Sequence, residues 1–216
     1  MGQLTAGFAV PLYWDQHPDP AAMNTALTEL FHQKMAQPEF TNPNPYTVRN
    51  DALYESRFDL FSWPEPVIRQ LSDFCCSRVM QCVAEINGYD QATLKRIQLG
   101  ADSWFHVTKD GGYFAIHNHP MASWSGVYCV SDGEPDPGIK NNAQLTFINP
   151  FIQSTMFVDA GNAQMKQPFS HVSQGFQLKA GQLVLFPSWL LHEVKAYFGQ
   201  GERITVAFNC WFHMRP

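Results

Sequence analysis

Two histidines separated by one residue, His117 and His119, stand at the end of a segment that alternates like a β-strand. Side chains at i and i+2 of a strand point to one face, roughly 7 Å apart. Imidazoles placed that way can converge on one metal ion, although an isolated His-x-His also fits two packed histidines beside a turn. A third histidine, His192, follows the run from Gly181 through Phe186-Pro187-Ser188-Trp189. There a strand ends at a proline, a short turn follows, and the histidine opens the next strand. If the fold brings His192 beside the pair, three neutral imidazoles cover one side of a metal and leave the other open. That geometry belongs to catalysis more than to a closed structural site. Farther on, Arg203 shares one strand face with Thr205, Ala207 and Asn209. An arginine aimed into the same mouth would bind a carboxylate, ideally through two parallel hydrogen bonds. Alone, it reads as a surface arginine at a hairpin end.

These residues need elements to carry them. From about Ile97 onward, short runs rich in Val, Ile, Phe, Trp and Thr are separated by Gly, Pro, Asn and Asp clusters. The runs predict strands over Ile97–Thr108, Tyr113–Asn118, Trp124–Val130, Leu145–Ile148, Gly175–Leu178, Gln182–Pro187, His192–Ala196 and Arg203–Phe212. Strands at this spacing suit a sandwich or jelly roll and not alternating βαβ units. The N-terminal part reads differently. Phe8 to Tyr13 alternates loosely and predicts a first strand. Asp19-Pro20 and then Ala21 to Gln37 look like a capped helix with Met23, Leu27, Leu30 and Phe31 on one face. Gln37 to Asn50, rich in Pro and Asn, predicts a loop. A second helix starts near Pro66 and runs to Asn87-Gly88, with Val67, Leu71, Phe74, Cys75, Cys82, Val83 and Ile86 recurring on it. Ser131–Asn142 and the stretch Asp159–Ser173 are polar loops, and either could cover the site as a lid. The expectation is mainly β with flanking helices. It is one domain, 1–216, with an N-terminal strand and support helices over 1–95 and a jelly-roll core over 96–216.

Composition narrows the function. Of 216 residues, 45% are hydrophobic and only 15% charged, so a sizeable core can form and a disordered chain is excluded. The formal net charge of −5 argues against a nucleic-acid surface or a polybasic membrane patch. No apolar run approaches the roughly 20 residues needed to span a bilayer. The first residues carry no secretory pattern. The five cysteines form no Cys-x-x-Cys pair and read as reduced, mostly buried thiols of a cytoplasmic protein. The remaining histidines, His17, His32, His106, His171 and His213, read as packed or exposed, with His106 placed to support the site from behind. Two copies pairing through the N-terminal helices is compatible with the sequence, in which no interface is readable.

At this point the chain resembles the Fe(II)- and 2-oxoglutarate-dependent oxygenases, in particular their prolyl-hydroxylase-like members. Three pieces carry the resemblance. One is Ser103-Trp104 with Gly112-Tyr113 and His117-Asn118-His119-Pro120. Another is Ser125-Gly126-Val127-Tyr128. The last runs from Phe186-Pro187-Ser188-Trp189 through His192 to Arg203 and Phe208-Asn209. The resemblance implies a double-stranded β-helix with Fe(II) held by His117, His119 and His192. It implies 2-oxoglutarate anchored by Arg203 with help from Thr205, while Ser125, and after it Tyr113 or Tyr128, would line the cosubstrate pocket. The implied activity couples decarboxylation of 2-oxoglutarate, with O₂, to oxidation of a small-molecule or peptide substrate. The departure is His119, which stands where such families carry Asp or Glu. Three neutral imidazoles leave a ferrous ion at +2 instead of +1, and the dianionic cosubstrate can neutralise it.

The same residues also match cupin spacing: Gly111 before His117-x-His119, and Gly181 and Pro187 before His192. The cupin glutamate is missing and Trp189 replaces a usual glycine. A three-His dioxygenase that needs no 2-oxoglutarate, or a non-catalytic binding barrel, would share the fold.

Overall fold

The structure is a computed structural model and describes residues 2–215. In chain order the strands are β1 (Tyr13–Gln16), β2 (Leu53–Glu55), β3 (Ile97–Thr108), β4 (Phe114–His117), β5 (Trp124–Ser131) and β6 (Glu134–Pro135). They continue with β7 (Leu145–Phe147), β8 (Gln174–Phe176), β9 (Gln182–Pro187), β10 (His192–Val194), β11 (Gly199–Gln200) and β12 (Arg203–Met214). Three α-helices, α1 (Ala21–Met35), α2 (Pro66–Asn87) and α3 (Gln91–Arg96), lie in the N-terminal part. A six-stranded sheet runs β1-β9-β5-β12-β3-β2 and a four-stranded sheet runs β4-β10-β7-β8. All their pairings are antiparallel. Together they make the double-stranded β-helix that the strand spacing and the resemblance predict. A two-stranded ribbon, β11-β6, stands apart from both.

Alternation along the strands divides the large sheet into two faces. Phe105 and Val107 of β3, Leu183 and Leu185 of β9, and Ile204, Val206 and Phe208 of β12 point outward and pack with the helices. Val184 and Phe186 of β9 point the other way, into a smaller cluster with Leu145, Phe147 and Leu190 between the sheets. The helices supply the other half of the outer core. α2 turns Ile68, Leu71, Cys75, Val79, Cys82 and Val83 inward, and α1 adds Met23, Leu27 and Phe31. Phe31 stacks flat on Phe105 at 4.1 Å between ring centroids. Each such side chain, fully buried, contributes roughly 1.5–3 kcal/mol.

The helix boundaries have local causes. Pro66 sits in the first turn of α2, where its missing N–H costs no hydrogen bond. Gly88 ends the helix at φ +66°, a left-handed conformation in which its N–H reaches back to the carbonyls of Ala84 and Glu85. The cap expected at Asp19-Pro20 is different: Pro20 occupies the N-cap and no side chain bonds to the first turn of α1. The first strand is also displaced. β1 begins at Tyr13, where the predicted strand ends. Pro11 has no N–H to give a ladder. Val10 and Leu12 pack instead against the cluster between the sheets, and Phe8 is exposed. Ile86, expected on the inner face of α2, is half exposed in its last turn.

Candidate active site

β4 and β10 are neighbours in the small sheet, and His117 and His192 face each other directly in register. His119 follows β4 by two residues. Its backbone N–H donates to the carbonyl of Ser188, 2.9 Å away in the turn between β9 and β10. The three ligand nitrogens lie within 4.8 Å of one another. Ring centroids are 4.2 Å apart for His117–His192 and 5.0 Å for His119 to each of the others. The structure thus brings together the three histidines expected to share a metal.

Their protonation state is set by their surroundings. His117 Nδ1 lies 2.7 Å from the Ala115 carbonyl and His192 Nδ1 lies 2.8 Å from the Leu190 carbonyl. A carbonyl only accepts, so each ring carries its proton on Nδ1 and leaves Nε2 a free lone pair. Such outer hydrogen bonds orient metal-binding imidazoles and fix their tautomer. Burial disfavours a charged ring, and the imidazoles would repel one another if protonated. His119 is pushed down to about 2 and His192 to about 3, and His117 is lowered as well, by burial first in each case. Three neutral nitrogen donors pointing at a common centre are the donor set that Fe(II), zinc or nickel accepts. The residues present therefore fit a divalent transition metal.

Beside this cluster the inner face of the large sheet supplies Trp104 and His106 from β3 and Arg203, Thr205 and Ala207 from β12. They line a narrow cavity of about 40 Å³ with the three histidines. Pairing of β12 with β3 places Thr205 opposite His106 and Arg203 opposite Thr108. Arg203 is only 4% exposed. Among the described residues no carboxylate lies within ion-pair distance of it, and burial lowers its pKa. Thr108, its register partner, has a buried hydroxyl with no hydrogen-bond partner. A buried guanidinium without an anion is costly, by several kcal/mol even after relaxation. The cavity therefore presents an unpaired positive charge.

The other expected pocket residues lie elsewhere. Ser125 is buried but outside this lining. Its hydroxyl is 2.8 Å from Ser188 Oγ and donates to Asn209 Oδ1 at 2.8 Å. It ties β5 to the turn that carries the His119 contact and leads into His192, so it braces the histidine cluster from outside the cavity. Tyr128 sits at an outward-facing position of β5, fully buried under α1, where its hydroxyl donates to Asn24 at 2.8 Å. Tyr113 lies before β4 and outside the cavity lining.

One charged pair next to the site has no strong sequence signal. Glu55, at the end of β2, is 3% exposed and accepts hydrogen bonds from Asn42 Nδ2 and Arg49 Nη1, both at 2.6 Å, and from His106 Nε2 at 3.0 Å. Burial works to raise its pKa, but the bonds and charges of His106, Asn42 and Arg49 outweigh burial and hold it at about 2. His106 Nε2 is also 3.1 Å from Trp104 Nε1. It cannot donate to Glu55 and accept from Trp104 at once. The bond to the carboxylate is the stronger of the two, so His106 carries its proton on Nε2. His106 lines the cavity itself, closer in than the supporting place the sequence suggests. Glu55 falls in a three-residue strand too short to read from periodicity.

Comparison with solved structures finds the same architecture in several enzymes. A prolyl-4-hydroxylase from Pseudomonas putida is 17% identical, with 96% of this chain and 94% of that one covered and a TM-score of 0.59. HygX from Streptomyces hygroscopicus, solved with nickel, 2-oxoglutarate and hygromycin B bound, is 9% identical, covering 94% and 83%, with a TM-score of 0.59. A prolyl hydroxylase from Trichoplax adhaerens, in complex with a hypoxia inducible factor peptide fragment, is 13% identical, covering 93% and 83%, with a TM-score of 0.60. At such identities the likeness is one of fold. No curated protein sequence matches the chain. The family model for 2OG-Fe(II) oxygenases matches residues 102–209, half of the chain, and takes in β3 from Asp102 with His106, the three-histidine cluster and β12 as far as Asn209. With its fold, its metal-ready histidines and its buried arginine accounted for, this chain belongs to the 2OG-Fe(II) oxygenase family.

Proposed function

We propose that, in this 2-oxoglutarate-dependent Fe(II) dioxygenase, His117, His119 and His192 hold the metal and Arg203 and Thr205 hold the cosubstrate. The observation that carries the assignment is Arg203, buried and without an anion, in one cavity with three neutral imidazoles. Bound there, Fe(II) and 2-oxoglutarate supply the oxidising chemistry. One atom of O₂ enters a substrate C–H bond and the other enters succinate, with CO₂ released.

The chain's own residues bind, orient and keep water out. Arg203 offers a planar fork of donors to the far carboxylate of 2-oxoglutarate. Thr205, two residues on and on the same face, adds a hydroxyl. The Ala115 and Leu190 carbonyls keep His117 and His192 in the tautomer that can ligate. Phe114, Leu145, Val194 and Trp104 close the cavity with apolar surface, which strengthens each polar contact inside. No helix among the described residues is long and apolar enough to cross a membrane. All five cysteines are free and four are buried, which supports a reducing compartment such as the cytoplasm. The shared core of the helices and the large sheet supports reading residues 1–95 and 96–216 as one unit.

The test is anaerobic titration of the Fe(II)-loaded protein with 2-oxoglutarate, following the visible metal-to-ligand charge-transfer band. A saturable band that is lost in His192→Ala and needs far more cosubstrate in Arg203→Ala is the expected result. Iron bound without any band, or cosubstrate affinity indifferent to Arg203, refutes the assignment.

A further inference from the structure

His119, Trp104 and Phe114 line a second cavity as well, a cleft of about 280 Å³ on the outer approach to the histidine cluster. Its walls are aromatic. The Phe58 ring packs on Trp104 at 4.4 Å, and Trp104 lies 5.8 Å from the His119 ring. Its rim carries Asp102, two residues before Trp104 on the same face of β3. Asp102 stands opposite Asn209 in register, and Asn209 has committed its amide oxygen to Ser125.

The two cavities differ in charge. The cosubstrate cavity is lined by Arg203 and by no carboxylate. The cleft is lined by Glu55 and Asp102 and by no lysine or arginine. The Glu55 charge is already matched by Arg49 from behind the wall. Asp102, exposed at the rim, has no ion-pair partner among the described residues, and desolvation raises its pKa. Neighbouring cavities of opposite sign sort their guests: each attracts one charge and repels the other. A dianionic cosubstrate is steered to Arg203 and away from Asp102.

We propose that this cleft is the primary-substrate site and that its substrate carries a protonated amine or guanidinium. The cation is gripped between the Asp102 carboxylate and the faces of Phe58 and Trp104, a pairing of charge and ring quadrupole that suits amines and guanidinium groups. The bond to be oxidised then lies between that cation and His119. The proposal rests on the oxygenase reading above, which supplies O₂ and 2-oxoglutarate as the co-reactants.

The experiment uses full-length protein loaded with Mn(II) and 2-oxoglutarate under argon. Nα-acetyl-arginine methylamide and Nα-acetyl-lysine methylamide are compared with their neutral citrulline and norleucine counterparts. The readout is relaxation of each probe's proton lines by the bound manganese. The cationic probes are expected to bind about tenfold more tightly than the neutral ones, a difference of about 1.4 kcal/mol, and Asp102→Asn is expected to abolish the difference. Equal binding of charged and neutral probes, a preference that survives in Asp102→Asn, or no relaxation of either cationic probe overturns the proposal. The methylene lines of 2-oxoglutarate in the same sample report on the other site. If they are not relaxed, it is the cosubstrate assignment that fails.

Discussion

Replacing Arg203 by Met separates what the residue costs from what it does. Methionine keeps the length of the apolar stem and removes only the guanidinium, which is buried and unpaired. An uncompensated buried ion costs several kcal/mol, and well-packed hydrophobic replacements of buried ions are often neutral to stabilising by about 1–4 kcal/mol. Without cosubstrate, Arg203→Met is therefore expected to be as stable as the parent or more so. For a chain of this size each kcal/mol appears as roughly 2–4 °C in Tm. With cosubstrate the order reverses. Truncating one partner of a buried, hydrogen-bonded charge pair costs about 2–5 kcal/mol, which at the middle of that range lowers 2-oxoglutarate affinity by two orders of magnitude or more. A ligand at about 100 times its Kd adds about 2.7 kcal/mol to stability, so the parent gains and the variant does not. The assay is urea unfolding of zinc-loaded protein with and without 2-oxoglutarate. The reasoning is refuted if Arg203→Met loses more than about 1 kcal/mol without cosubstrate and yet gains as much as the parent when it is added.

Further outcomes follow from the charges around the site. The unfolded chain binds protons on its histidines as the pH drops below about 6.5, whereas His119 and His192 in the fold resist protonation down to about 2 and about 3. Metal-free protein should hold its stability above pH 6.5 and lose about 1.4 kcal/mol per pH unit for each of these rings below it. Urea midpoints across pH 7 to 5 check this, and a flat profile contradicts it. Because the rings are already neutral, zinc uptake at pH 7 should release no ligand proton; calorimetry in buffers of different ionisation enthalpy would expose one. Glu55 has the same sign in a more acidic window. Its carboxylate is held at about 2 in the fold, so its contribution is complete above about 4.5 and is lost as the pH falls toward 2. Glu55→Gln leaves Arg49 and His106 without their anion, at a cost of about 3–5 kcal/mol. A loss below about 1 kcal/mol in thermal unfolding would mean that water already compensates them.

The long strands and β9 could be read closely from the sequence. β3 and β9 occupy the residues the sequence predicts. β12 begins at Arg203 as expected and runs two residues farther, to Met214. Each carries apolar, β-branched or aromatic residues in a run that ends at or near a turn signal or a proline. The short strands β2, β6 and β11 gave no such signal, because two or three residues show no period. α3 was missed for the same reason, although Asp90 caps it by accepting from the Thr93 N–H at 2.7 Å. The histidine cluster was legible because His-x-His and the Pro187 turn are local patterns. The Glu55–His106 pair was not, since 51 positions separate its members and nothing near either one announces the other. Ser125 shows a different limit. Its place on the strand after His119 is right, but only the register of β5 with β12 tells that its hydroxyl meets Asn209 and Ser188 and not the cavity.

β12 runs through the middle of the large sheet with a different task on each side. Positions 204, 206, 208 and 210 belong to the helical core, and positions 203, 205 and 207 belong to the site. A mutation on one side is thus insulated from the other. The helical core can drift among Val, Ile and Phe while the site stays unchanged, and the lining can be retuned for another substrate without loosening the helices. What the strand does not tolerate is a change of length. Inserting or deleting one residue near Arg203 would turn the arginine toward the hydrophobic core and bring isoleucine to the cavity wall. Evolution and engineering of this protein are therefore expected to proceed by substitution along β12, with insertions confined to the loops at its ends.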